Sequence, residues 1–110
     1  MLTKFTKKGG SYRAVITAGV DETTFVVPAG MMITSITTKQ NTTTAGNLEI
    51  GTVANGDEIV ASVALGTVLG AIAVQTLVAT VFSMTASQTC HITISSATNI
   101  DVFVVMQKVN

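Results

Sequence analysis

Cys90 and His91 are the one place in the chain where a nucleophile and a base stand side by side, and they are its only cysteine and histidine. A thiol beside an imidazole that can take its proton is the pairing a covalent hydrolase needs. In an extended strand, however, neighbouring side chains point to opposite faces, so adjacency keeps the two apart. Cys90 shares a face with Ile92 and Ile94 and reads as a buried small hydrophobe. His91 shares the other face with Thr93 and Ser95 and reads as an exposed or rim residue, with a pH-sensitive contact as the sharper alternative. No second histidine or cysteine exists to complete a zinc site.

The carboxylates offer a second possibility. Asp21-Glu22 and Asp57-Glu58 fall at junctions between loop and strand, where carboxylates and carbonyls can hold calcium. Neither has the alternating ligand spacing of a dedicated calcium loop, so both read as solvated turn acids. Nothing around them, Glu49 or Asp101 supports a glycosidase pair. Sugar stacking is poorly supplied: there is no Trp, one Tyr (Tyr12) and four Phe, of which Phe25, Phe82 and Phe103 sit in strand-like runs. No glycine-rich phosphate cradle is present. The chain does not read as an enzyme, and no cofactor or metal is expected.

The elements that must position these residues read as strands. Tyr12 to Ala18 alternates with a period of two, residues 19–22 break the pattern, and residues 23–27 resume it. Pro28-Ala29-Gly30 forms a turn, with proline expected at its second position. In the next strand, residues 31–39, Ile33 and Ile36 are three apart, and a β-bulge near Ser35 restores the alternation. Leu48 and Ile50 face one way and Glu49 the other, and Asn55-Gly56 suits a turn with positive φ. Residues 58–65 read as strand or an irregular helical turn, and Gly66 and Gly70 bracket a loop. Three further strands are expected over residues 76–84, 88–95 and 100–108. The last carries apolar residues on both faces, so the Phe103 and Val105 side needs a cover of its own.

Composition bounds the partners. The chain has 110 residues, a formal net charge of zero and only 11 % charged residues, against roughly 25 % in an ordinary soluble domain. Residues 59–100 contain no Asp, Glu, Lys or Arg. Little repulsion then opposes self-association. Lys4, Lys7, Lys8 and Arg13 make no basic face of the kind nucleic acid requires. The apolar run 59–74 is sixteen residues, short of the roughly twenty that span a bilayer, and its β-branched continuation suits a strand. The first residues have no apolar signal core. We expect no nucleic-acid and no membrane partner, and a flexible arm over residues 1–11 ahead of one domain over 12–110.

This pattern predicts an all-β fold: an antiparallel, jelly-roll-like β-sandwich of about eight short strands. With the strands laid out, the chain resembles a family. Phe25-Val26-Val27-Pro28-Ala29-Gly30, Asn47-Leu48-Glu49-Ile50-Gly51-Thr52, Gly56-Asp57-Glu58-Ile59-Val60 and the closing Thr98 to Val105 are similar to the small β-sandwich proteins of tailed-bacteriophage virions, namely auxiliary capsid, decoration and head-fibre proteins. The resemblance covers residues 23–108. It implies a structural subunit at the virion surface, assembled in the bacterial cytoplasm, a homotrimer contacting the major capsid protein or another virion protein. The N-terminal arm would dock through Lys4, Lys7 and Lys8 with Phe5 as an apolar anchor. Phe103, Val105, Met31 and Met32 are the candidate oligomer contacts. The alternative is a tail-fibre or carbohydrate-binding module of the same fold, reading glycans through Tyr12 or His91.

Overall fold

The computed structural model describes residues 3–8, 11–79 and 84–109, with side chains described for all of these except 3–8, 11, 20, 21, 96 and 97. Among the described residues there are seven strands and no helix: β1 (Thr3–Lys8), β2 (Ser11–Val27), β3 (Met31–Gln40), β4 (Gly46–Gly51), β5 (Val60–Leu65), β6 (Ile72–Gln75) and β7 (Gln88–Lys108). Every pairing is antiparallel.

Two strands are too long to stay in one layer. At about 3.3 Å per residue, the 21 residues of β7 would reach roughly 65 Å if straight, yet the molecule is 41 Å along its longest axis. β7 therefore bends over, and β2 bends with it. Residues 11–19 of β2 pair with residues 99–107 of β7, whereas residues 21–27 pair with 88–94. At the corner, two steps along β2 (19 to 21) face five along β7 (99 to 94). That mismatch is the irregularity by which strands change sheet in a sandwich. One layer holds β1, the first half of β2, the second half of β7, β3 and β6, in that order; the other holds the remaining halves of β2 and β7 with β4 and β5.

The alternation of side chains explains the core. Ala14, Ile16 and Ala18 on β2 face inward opposite Val104, Val102 and Ile100 on β7. Past the corner, the buried positions of β2 change parity to Phe25 and Val27, while β7 stays on even numbers with Cys90, Ile92 and Ile94. Met31, Ile33 and Ile36 from β3, Leu48 and Ile50 from β4, and Ile59 and Val60 complete one apolar cluster. The molecule is an all-β antiparallel sandwich, as the alternation predicts. Because β2 and β7 each serve both layers, the layers contain more strand segments than there are elements, in keeping with the expected count of about eight.

Several local readings hold, and others need correction. The β3–β7 register shifts between Ile33 and Ser35, where the three-residue spacing of Ile33 and Ile36 required a bulge. Asn55 has φ of 59° beside Gly56. The turn after β2 is closed by the Met31 N–H donating to the Pro28 carbonyl at 3.1 Å, with Gly30 at φ 80°. This places Pro28 first in the turn and Ala29 second, so glycine's tolerance of positive φ shapes it. Residues 3–8 pair with β2 along their whole length rather than standing off as an arm. Residues 88–108 form one continuous strand, not two. Of the strand expected over 76–84, residues 76–79 are irregular, and residues 80–83 lie outside the described ones. Residues 72–75, unassigned from sequence, form β6.

Candidate functional site

The corner is held by a buried amide. Gln40 ends β3 with only 5 % of its surface exposed, and its Nε2 donates to the Gly66 carbonyl at 2.8 Å, the Thr98 hydroxyl at 3.1 Å and the Thr44 carbonyl at 3.2 Å. Its backbone N–H donates to the Ala71 carbonyl, and its own carbonyl accepts from the Gly70 N–H, both at 2.8 Å. One residue thus ties the loop after β3, the end of β5, the approach to β6 and the corner of β7. Sequence reasoning missed it, because a glutamine closing a Thr-rich strand looks like surface.

Cys90 and His91 diverge as strand geometry requires. Cys90 is fully buried, and burial pushes its thiol up to about 11, so it holds its proton at neutral pH and is a poor nucleophile. His91 is half-buried on the outer face, where its Nδ1 lies 2.9 Å from Glu22 Oε1 without forming an aligned hydrogen bond. Glu22 and Glu49 flank Thr93 from the two neighbouring strands, and Asn47, Glu49, Ser62, Thr93 and Ser95 line a shallow polar recess of about 160 Å³. Among the described residues, no group of three or more His, Cys, Asp or Glu is placed to hold a metal ion. Tyr12 lines another recess, of about 390 Å³, with Pro28, Ala29, Met31 and Lys108.

The proposed contact residues part company. Phe103 and Val105 stand on the outer face of the first layer and are half-buried, as is Met32. Met31 is 7 % exposed and belongs to the core, which leaves it little to present to a neighbour. Lys4, Phe5, Lys7 and Lys8 lie on β1, at the edge of the first layer; their side chains are outside the described ones.

A further unassigned feature is an open, uncharged side of the sandwich. Among the described residues β6 pairs only with β3, and β5 only with β4, so each ends its layer there. Between them runs a groove of about 420 Å³ lined by small and branched apolar residues, among them Ala61, Ala64, Ala73, Val63, Val74 and Val78, with no charged residue in its walls. Val74 is 74 % exposed, and Val68, Leu69 and Ile72 stand nearby at 66, 64 and 70 %. The groove is limited, in polar side chains, to the Thr38 and Thr76 hydroxyls and the Gln40 and Gln75 amides. It can bury itself against another apolar surface.

Comparison with protein-family models, curated proteins and solved structures finds no match. The reading of the site therefore rests on its own chemistry. No helix among the described residues is long and apolar enough to cross a membrane.

Proposed function

We propose that this chain is a structural subunit of a tailed-bacteriophage virion, an oligomeric decoration or head-fibre protein with a jelly-roll-like sandwich. The observation that carries the reading is the open apolar side between β5 and β6, on a chain with 11 % charged residues and no net charge. An uncharged surface of this kind suits a protein that spends its working life covered by neighbours. The resemblance of residues 23–108 to phage surface proteins supplies the setting, and a homotrimer on the capsid is the assembly it implies.

In this reading β1 is the docking element, its Lys4, Lys7 and Lys8 meeting acidic capsid surface and Phe5 anchoring it. Because among the described residues β1 pairs only with β2, its removal leaves the β2–β7 ladder in place. A variant lacking residues 1–8 is expected to fold and to lose capsid binding; unimpaired binding would reject β1 as the dock.

Immunogold labelling of particles from a lysate of the organism that encodes the chain tests the reading as a whole. Gold over capsids supports it, and particles without label overturn it. Label confined to tail tips favours the carbohydrate-binding alternative, for which the Tyr12 recess is the specific observation. A glycan array would then show binding that Tyr12→Ala abolishes.

A further inference from the structure

The two edges of the first layer are built differently. β1, at one end, carries three lysines in its six residues, the usual device that keeps a sheet edge from pairing with another chain. β6, at the other end, reads Ile-Ala-Val-Gln and carries no charge, no proline and no bulge. Its neighbour across the groove, β5, is equally uncharged. Protection at one edge and none at the other marks β6 as an edge that pairs.

We infer that a second copy of this chain docks here, β6 against the partner's surface, with the groove between β5 and β6 receiving its apolar side chains. This deepens the oligomeric part of the function proposed above. Three observations select a copy of the chain over a different partner. The walls of the groove carry no charge, so a partner selected by charge finds no counterpart, whereas this chain offers the same uncharged surface. The patch also contains both halves of a packing contact: a recess floored by alanines, and large side chains at Val68, Leu69 and Ile72 outside it. A surface that carries both knob and hole is self-complementary, as an interface between identical subunits must be. Finally, the size fits. Val68, Leu69, Ile72, Val74 and Val78 are each more than 60 % exposed, and at roughly 60–120 Å² of uncovered apolar area per such side chain they present about 300–600 Å². To this the edge of β6 that no described strand pairs, together with the groove's alanines, adds a share of the roughly 800 Å² that each partner gives to a stable interface.

The test is the mass of the full-length protein by light scattering across a dilution series, for the wild type, Val74→Lys, Leu69→Lys and, on the outer face of the first layer, Val105→Lys. The wild type is expected to be an oligomer. Each of the first two variants should associate at least about 100-fold more weakly, because a lysine charge would be buried without a partner. Val105→Lys should associate as the wild type does. Both Val74 and Leu69 are exposed, so thermal unfolding at low concentration should show each variant folded; two positions guard against one failing. A wild type that is monomeric at every concentration overturns the inference and leaves the groove to another occupant. An oligomer that survives both groove variants but is broken by Val105→Lys overturns it too, and moves the interface to Phe103 and Val105. Neither result depends on virions, so the failure of this surface is separable from failure of the virion reading.

Discussion

At the scale of single residues, the stability of the fold turns on a few polar groups in an apolar setting. Gln40→Leu keeps the approximate size of the side chain but strips the donors from the Gly66 and Thr44 carbonyls and the Thr98 hydroxyl. Thr44 and Gly66 are exposed, so water can replace their lost bonds, and the buried Thr98 hydroxyl keeps Thr42; the total cost should be about 1–3 kcal/mol, read from urea denaturation. Cys90 makes stability fall with alkali. Its folded value of about 11 lies above the ordinary 9.0, so the unfolded chain releases the proton first. Stability is then unaffected by this group below 9.0, declines as pH rises toward about 11, and loses roughly 2–3 kcal/mol in all. Cys90→Ala should remove that part of the alkaline slope in a comparison of melting curves. Glu58 acts in the other direction. Its carboxylate accepts from the Thr52 N–H at 2.7 Å and the Thr52 hydroxyl at 3.1 Å, and the backbone bond foremost holds it below the usual 4.5. The help it gives to the loop over residues 51–58 is present above 4.5 and is lost as pH falls through its lowered value. The same loop brings Gly51 against Gly56 so closely that a Cβ on Gly51 would collide with the Gly56 backbone, and Gly51→Ala should destabilise by about 1–3 kcal/mol. Cys90 was legible from its strand neighbours; Gln40 was not, since Gly66 and Thr98 come from segments that only the fold brings near, and Glu58 was not, since its bond to Thr52 depends on how the loop over residues 51–58 doubles back.

At the scale of elements, periodicity carried most of what the chain discloses, and it failed where pairing outweighed composition. The bulge in β3 was legible because two isoleucines three apart cannot share a face without one. It also makes a sharp prediction. Thr34 is the residue that the pairing with β7 skips, so deleting it would leave Met31, Ile33 and Ile36 at a strict spacing of two on the inward face, and the purified variant should stay folded by circular dichroism and gel filtration. β1 was misread because Lys-rich residues beside Gly9-Gly10 look like a tail, although the Ser11–Val27 strand offers them a complete ladder. The division of β7 into two strands followed from Ser96-Ala97-Thr98-Asn99, a turn by composition. In the fold these residues sit at the corner, where Thr98 is buried and the Asn99 carbonyl accepts from the Asn41 N–H at 2.9 Å. Among the candidate contacts, Phe103 and Val105 stand on an outer face as the two-sided strand required, whereas Met31 turned inward. The open groove was invisible in sequence, for its walls come from β5 and β6 and no periodicity says that two uncharged edges will lie side by side.

At the scale of the whole molecule, low charge should govern solution behaviour. If apolar burial drives association, sodium chloride should not weaken it and sulfate should strengthen it, which sedimentation in the two salts would show; weakening by chloride would point to ion pairs instead. The topology has a further consequence, for the order in which the chain can fold. β7 is the partner of β2, β3 and β4, and among the described strands it follows all of them in the chain. Before β7 is made, among the described strands β2 has only β1 beside it, β3 only β6, and β4 only β5. These are isolated two-stranded pairs, which are marginal in water. The core must therefore wait for β7, and folding is slow for its size and dominated by contacts between distant parts of the chain. Until that last strand arrives, the nascent protein exposes the same uncharged edges that the finished one keeps for its own kind, so crowded copies on one messenger would meet before any of them is complete.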